Sequence, residues 1–183
     1  MERAAKAMGS KRNATSIRVP RKILAFQQVA ARGERRLIDW FVKKEGVKVD
    51  SRDRNRNTAL MLAAANGEDG TIVKLLHLGA DIDAKNRFGQ TPLMMAAGNG
   101  QVGTVRMLFG HRAKGYLKDN EGKTAYEHAW KNGHYKVGSL IEMSQESLNK
   151  GAIDALRRGS AGEFDYYICL GADPASLGPA LDF

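Results

Sequence analysis

Apolar residues recur along the chain in short blocks that polar and glycine-rich turns separate. Three of these blocks open on a threonine and begin 33 residues apart, at residues 58–63, 91–96 and 124–129. Each is followed by an Asn-Gly or Gly-Asn-Gly stop and then by a second apolar stretch, at residues 72–76, 105–109 and 137–141. The pattern predicts a unit of two short helices that repeats along the chain.

Each unit carries signals for where its first helix begins and ends. The threonine hydroxyl can accept a hydrogen bond from a free N–H of the first turn, and Pro92 occupies a position where no donor is needed. Glycine ends the helix because it adopts a left-handed conformation at little cost. The Gly and Asn content of residues 79–90 predicts a long turn that reverses the chain between units.

The 33-residue period, the Thr-Pro-Leu start at residues 91–93 and the Gly-Ala-Asp-Ile-Asp-Ala run at 79–84 resemble the ankyrin repeat. The resemblance implies an all-α repeat solenoid of helix-turn-helix units joined by hairpin-like turns. It covers residues 22–173, with four to five repeats that are degenerate at both ends. We expect repeats at about 22–53, 54–86, 87–119, 120–143 and 147–173, a basic arm at 1–21 and a tail at 174–183.

The chain departs from the family pattern at several positions. The fourth residue of the Thr-Pro-Leu motif is usually a histidine that ties neighbouring turns together, and here it is Met61, Met94 or Glu127. That hydrogen bonding is therefore not expected in its usual form. Arg56 and Arg112 replace turn glycines, so these two turns should be strained or differently shaped.

The net charge of +9 is distributed unevenly. Residues 1–56 hold 16 Lys and Arg against 6 Asp and Glu, whereas residues 57–183 hold 13 against 14. This asymmetry indicates an electrostatic partner for the N-terminal third, either nucleic acid, an anionic membrane surface or an acidic protein, and the alternative is that it serves solubility alone. The arm is expected to be disordered in isolation, with a mitochondrial or plastid transit peptide as the competing interpretation. Its cations are Arg3, Lys6, Lys11, Arg12, Arg18 and Arg21.

Motifs for catalysis, metal binding or membrane insertion are not found in the sequence. Cys169 is the single cysteine, the four histidines lack metal-ligand spacing, and no phosphate loop or nucleophile motif occurs. We therefore expect no cofactor and no enzymatic activity. The sequence also has no apolar run long enough to span a bilayer, and its first residues lack the apolar block that is typical of a secretory signal peptide. The cytoplasm is the expected compartment, with mitochondrion and plastid as alternatives.

Large apolar side chains in the helical blocks are expected to form the core. Trp40 and Trp130 are predicted to be buried, because large aromatic residues mostly supply buried area. Four methionines are predicted to fill gaps in the same core: Met61, Met94, Met95 and Met107.

The resemblance implies that a partner lies across the turn tips and the groove formed by the first helices. The predicted tip residues are Arg52, Arg54, Asn55, Asn57, Lys85, Arg87, Phe88, Gln90, Lys118, Asn120, Glu121 and Lys123. The groove side of the first helices adds Asn66, Asn99, Lys131 and Asn132. Phe88 is predicted to anchor the partner, the alternative being that its ring folds back over the adjacent tip. For the tips as a whole, the alternative is that they are only solvated turns with no binding role.

Two functions follow from these features. The first is a non-enzymatic scaffold or adaptor that binds protein, as a subunit of a larger assembly. The alternative is a nucleic-acid-associated subunit of a ribonucleoprotein, whose basic N-terminal third lies on phosphates.

Overall fold

The chain folds into a series of helix pairs. The computed structural model describes residues 19–162, 167 and 172–175, and within these residues the regular elements are α-helices and short turns, with no β-strand. The helices are α1 (Arg21–Ala31), α2 (Arg35–Lys43), α3 (Ala59–Asn66), α4 (Asp69–His77), α5 (Pro92–Gly98), α6 (Val102–Gly110), α7 (Ala125–Lys131) and α8 (Tyr135–Arg157). The prediction of an all-α repeat solenoid is confirmed.

The three threonines cap their helices as expected. The Thr58 and Thr91 hydroxyl oxygens each accept a hydrogen bond at 3.3 Å, from the backbone N–H of Met61 and Met94 respectively. The thioether sulfurs of the same two methionines lie 3.4 Å from the threonine backbone nitrogens and accept from them. Methionine thus completes a reciprocal capping pair at the position where the family usually has histidine.

The helices form two rows. The first helices α1, α3, α5 and α7 pack side by side, and α2, α4, α6 and α8 pack behind them. One continuous core runs through the stack, and it includes Phe26, Leu60, Leu93, Leu108 and Ile141. Because neighbouring units share this core, each middle repeat is stabilised by the repeats on both sides.

Two arginines adopt the left-handed conformation that glycine would adopt more cheaply. Arg56 has φ 61° and Arg112 has φ 69°, whereas Gly89 and Gly79 stand at the corresponding places with φ 78° and 85°. Both turns therefore keep the backbone shape that glycine gives the corresponding turns, and each left-handed arginine adds about 1 kcal/mol of backbone strain.

The C-terminal end differs from the middle of the stack. Helix α8 runs without a break for 23 residues, through the region between the fourth and fifth predicted repeats. Its last turns contribute to a small separate cluster around Ala152 and Ala172, with Leu148, Ile153 and Tyr167 beside them. The structure therefore places no turn between residues 143 and 147.

The prediction that both tryptophans are buried is wrong. Trp40 is 47% exposed and Trp130 is 42% exposed. Trp40 packs edge-on against Phe41, and Trp130 lies over Gly138, so that each ring covers the stack on one side only. Met61 and Met94 are buried as predicted, whereas Met95 and Met107 are half-buried.

Candidate protein-binding surface

Each turn tip is a tight, internally hydrogen-bonded loop. The backbone N–H of Asp53 donates to the Asn57 carbonyl, and the second and third tips repeat this bond at Asn86 and Gln90 and at Asp119 and Lys123. In each tip one side chain also accepts from one or two backbone N–H groups inside the loop, and these side chains are Asp53, Asn86 and Asp119. The tips are thus shaped by their own polar groups, without help from a partner.

Hydrogen bonds also join each tip to the next. The backbone N–H of Arg87 donates to the Asn55 carbonyl at 2.9 Å, and that of Asn120 donates to the Phe88 carbonyl at 3.0 Å. Side chains add to this ladder, since Asn120 Nδ2 donates to the Arg87 carbonyl at 3.0 Å. The three tips therefore form one continuous edge, which we call the tip edge (residues 52–57, 85–90 and 118–123).

The predicted tip residues differ in how accessible they are. Asn57 is buried, and its side chain bonds to Asp53 and to Asn86, so it holds tips together. Gln90 is half-buried and accepts from Asn86. The remaining side chains range from half-buried to exposed and face solvent along the edge: Arg52, Arg54, Asn55, Lys85, Arg87, Phe88, Lys118, Asn120, Glu121 and Lys123.

Phe88 stands out among them because it is an apolar ring at a loop tip. It is 50% exposed, and the guanidinium of Arg87 lies 5.0 Å from the centre of its ring. This cation–π contact fixes the ring beside a positive charge. Phe88 also lines a cavity of about 280 Å³ between its own tip and the third one, so the ring is neither fully free nor folded into a core.

The cavity brings together residues that the sequence analysis assigned separately to tips and groove. Phe88, Gln90, Asn120, Glu121, Lys123 and Lys131 all contribute, joined by Asp119, His128 and Asn132. His128 was not predicted as a site residue, yet its Nε2 lies 2.8 Å from Asp119 Oδ2. Its position in the sequence, inside the helix block at residues 124–129, gave no sign of this pairing.

Asp119 is held in its charged form by the groups around it. Burial raises the pKa of this carboxyl, but hydrogen bonds from the Lys123 and Glu121 backbone N–H groups and from His128 outweigh burial, and the pKa falls below the ordinary value. Lys123 pairs with Glu121 at 2.5 Å. The charges of the third tip are thus largely matched within it.

The groove floor between the tips and the helix ends is partly apolar. Leu62 and Met95 occupy the same position in successive repeats and are half-buried, with His128 taking that position in the next. At the far end of these helices, Asn66 Nδ2 donates to the Ala31 carbonyl at 2.9 Å and Asn132 Nδ2 to the Gly98 carbonyl at 2.7 Å. The groove therefore combines an apolar floor with amide groups that bind the neighbouring helix.

This arrangement of caps, turns and paired helices also appears in comparison with known protein families. Residues 61–150 match the family model described as ankyrin repeats (3 copies). Residues 61–150 contain ankyrin repeats. Ankyrin repeats indicate a protein–protein interaction domain, and the family is generally non-enzymatic. Among the curated proteins compared with the chain, none matches it.

The ankyrin histidine has a substitute in the first repeat. Gln27 is buried, and its side-chain amide donates to the Asn57 carbonyl at 2.8 Å and to the Ser51 carbonyl at 3.3 Å. It ties the first helix to the first tip, which is the role that the family gives to histidine. Gln27 was not predictable from the sequence, because the first repeat lacks the Thr-Pro-Leu motif that would have aligned it.

The described residues include only some of the other predicted features. Of the arm cations, Arg21 is exposed at the first position of α1, whereas Arg3, Lys6, Lys11, Arg12 and Arg18 lie outside the described residues. No group of three or more metal-binding side chains occurs in the part of the chain that the structure describes. Among its helices, none is long and apolar enough to cross a membrane.

Proposed function

We propose that this ankyrin-repeat chain is a non-enzymatic scaffold or adaptor, and that it binds its protein partner across the tip edge and groove. The observation that carries the proposal is the half-exposed Phe88, stacked with Arg87 above a cavity on an edge fixed by hydrogen bonds. Aromatic residues and arginine are enriched at interface centres, where they dominate the binding energy.

The rigidity of the tips supports the same proposal. Because each loop satisfies its own backbone groups and bonds to the next loop, the exposed side chains are already oriented before a partner arrives. Binding then costs less loop-ordering entropy than it would on a flexible surface. We place the chain as a subunit of a larger assembly in an intracellular compartment, with the cytoplasm preferred over mitochondrion and plastid.

Replacement of a single exposed side chain tests the proposal. The partner is identified by crosslinking the full chain in native cells and is then titrated against the Phe88→Ala variant. We expect Phe88→Ala to weaken binding by about 2 kcal/mol while the melting temperature stays unchanged. Met143→Ala is the matched control, because Met143 is 67% exposed on α8 and belongs neither to a tip nor to a first helix. Lower stability with unchanged affinity would show that the ring serves folding alone.

A nucleic-acid-associated role is the second candidate. It is supported by the charge of residues 1–56, which hold 16 cations against 6 acids. If the arm makes about six phosphate contacts, affinity for single-stranded RNA should fall about a thousandfold between 50 and 200 mM salt. A complex with RNA that ignores salt and survives removal of residues 1–20 would contradict this candidate.

A further inference from the structure

Three cations on the tip edge recur at the same place in successive repeats. Arg52, Lys85 and Lys118 each stand six residues before a helix-capping threonine, and we call them the cation row. Arg52 Nη1 donates to the Lys85 carbonyl at 2.6 Å, and Lys85 Nζ donates to the Lys118 carbonyl at 2.7 Å. Each of the first two side chains is thus held along the edge by the backbone of the next repeat.

These hydrogen bonds position the charges without neutralising them. A carbonyl oxygen carries no full charge, and a guanidinium or ammonium group has further donors to offer. Among the described residues, no carboxylate lies within ion-pair distance of the cation row, nor of Arg54, Arg56 or Arg87 nearby.

The acids of the tips are already engaged. Asp53 accepts from the backbone and side chain of Asn57, Asp119 accepts from His128, and Glu121 pairs with Lys123. None of the three reaches the cation row. The first two tips therefore present a net positive edge to solvent, and desolvating it against an uncharged partner would be costly.

The spacing of the row suits an extended peptide. Packed helices lie about 8–10 Å apart, and this sets the distance between equivalent residues of neighbouring repeats. An extended chain advances about 3.3 Å per residue, so one repeat corresponds to about three residues of a bound strand. Acidic side chains about three residues apart would meet successive cations.

We infer that the tip edge binds an acidic, extended segment of a protein, whose carboxylates pair with Arg52, Lys85 and Lys118 while an apolar residue contacts Phe88. This inference rests on the proposed function and names the chemistry of its partner. A peptide fits the edge better than a nucleic acid because Phe88 is the one aromatic residue of the three tips, whereas single-stranded nucleic acids stack on several.

The test compares two variants of the full chain that lose the same charge. The row variant carries Arg52→Gln, Lys85→Gln and Lys118→Gln, and the control carries Lys43→Gln, Lys44→Gln and Lys48→Gln on exposed positions in and after α2. The probe is a fluorescent peptide of about twelve residues with glutamate at every third position, titrated by anisotropy. The basic arm is present in both variants, so its contribution cancels.

We expect the row variant to bind the peptide about tenfold more weakly, and the control to change by less than about twofold. A third variant with Arg52→Lys, Lys85→Arg and Lys118→Arg keeps the charges and should retain binding, which separates charge from any loss of folding. Equal losses in the row variant and the control, or no loss in either, would overturn the inference. So would a single-stranded RNA of equal charge that binds more tightly than the peptide and is weakened by the row variant.

The same variants separate this inference from the proposed function. If the protein partner captured from cells is lost on Phe88→Ala but retained by the row variant, the acidic class is wrong and the scaffold proposal stands. If both variants retain the partner with full affinity, the tip edge is not the binding surface and both proposals fail.

Discussion

The middle repeats and the C-terminal end of the stack use the same local signals but have different neighbours. Ala64 and Ala97 are fully buried at equivalent positions of α3 and α5, and each of these helices packs against the first helix of the next repeat. The equivalent residue of α7 is Trp130, which is 42% exposed. A small residue at this position thus marks a first helix that another repeat covers. A large residue marks a first helix whose outer face is covered by its own side chain.

The open face at this end is visible in the packing around it. Tyr126, Trp130 and Tyr135 form a chain of rings with centroids 5.8 and 4.7 Å apart. Beside them, between the third tip and α8, lies an open cavity of about 860 Å³ lined in part by Tyr126, Ile141 and Ile153. In the middle of the stack the corresponding space is filled by the next repeat. Among the described residues, the fourth repeat therefore packs against a neighbouring repeat on one side only, and the aromatic rings cover part of its other side.

The largest expected difference between the two regions is in core truncation. Leu93 is fully buried in the shared core, whereas Leu148 is half-buried beside the small C-terminal cluster. Leu93→Ala should lower the free energy of unfolding by about 3 kcal/mol, and Leu148→Ala by about 1 kcal/mol. Urea unfolding monitored by circular dichroism measures both. Equal losses would mean that the C-terminal cluster is as tightly coupled as the middle repeats.

A smaller effect is expected from relieving backbone strain. Arg112 adopts a left-handed conformation where the preceding repeat has Gly79, which is free to adopt it. Arg112→Gly should raise the free energy of unfolding by about 0.5 kcal/mol, because the strain relieved exceeds the added entropy of the unfolded chain. Gly79→Ala is the converse control and should destabilise. A loss of stability in Arg112→Gly would show that the arginine side chain contributes more than its backbone costs.

The smallest effect is a difference in acid sensitivity. Hydrogen bonding from the Thr124 backbone N–H, which outweighs burial, holds the pKa of Glu127 below its ordinary value, and the pKa of Asp119 is also lowered. A lowered folded pKa gives stability that is present above the unfolded value and is lost as the pH falls through the folded value. The middle caps use Met61 and Met94, which do not titrate.

Amide hydrogen exchange, corrected for its intrinsic pH dependence, can detect this difference. Below the ordinary carboxyl values of 4.5 and 3.8, protection of α7 should decrease by a few tenths of a kcal/mol relative to α5. Glu127→Gln should reduce the difference, since an amide does not titrate. Parallel loss of protection in α5 and α7 would show that the acid response is global.

The features that recur in every repeat were predictable from the sequence, whereas the features of a single repeat required the structure. The 33-residue period located the Thr58, Thr91 and Thr124 caps, the helix pairs and the turn tips, because each depends on residues close in the chain. The exposure of Trp130 and the unbroken α8 depend on whether another repeat packs alongside, and a periodic pattern does not state where stacking stops.

The candidate surface was predictable to a similar extent. The tip residues follow from the repeat, and most of them are solvent-facing, but Asn57 is internal because its amide bridges two tips. The pairing of His128 with Asp119 joins a helix to a tip. His128 stands at the position that Leu62 and Met95 occupy in the preceding repeats. Such a substitution looks like an ordinary polar residue until the distance is known.

The length of α8 also sets a distance scale for the molecule. Ile141 is anchored in the shared core, and the helix continues without interruption to Arg157. Sixteen further residues at 1.5 Å each place the end of the helix about 24 Å from that anchor. The chain does not stay at that distance: Ala172 packs beside Ala152, and the Asp173 backbone N–H donates to Asn149 Oδ1 at 2.8 Å. Helix α8 is thus the support against which the chain after Arg157 folds back.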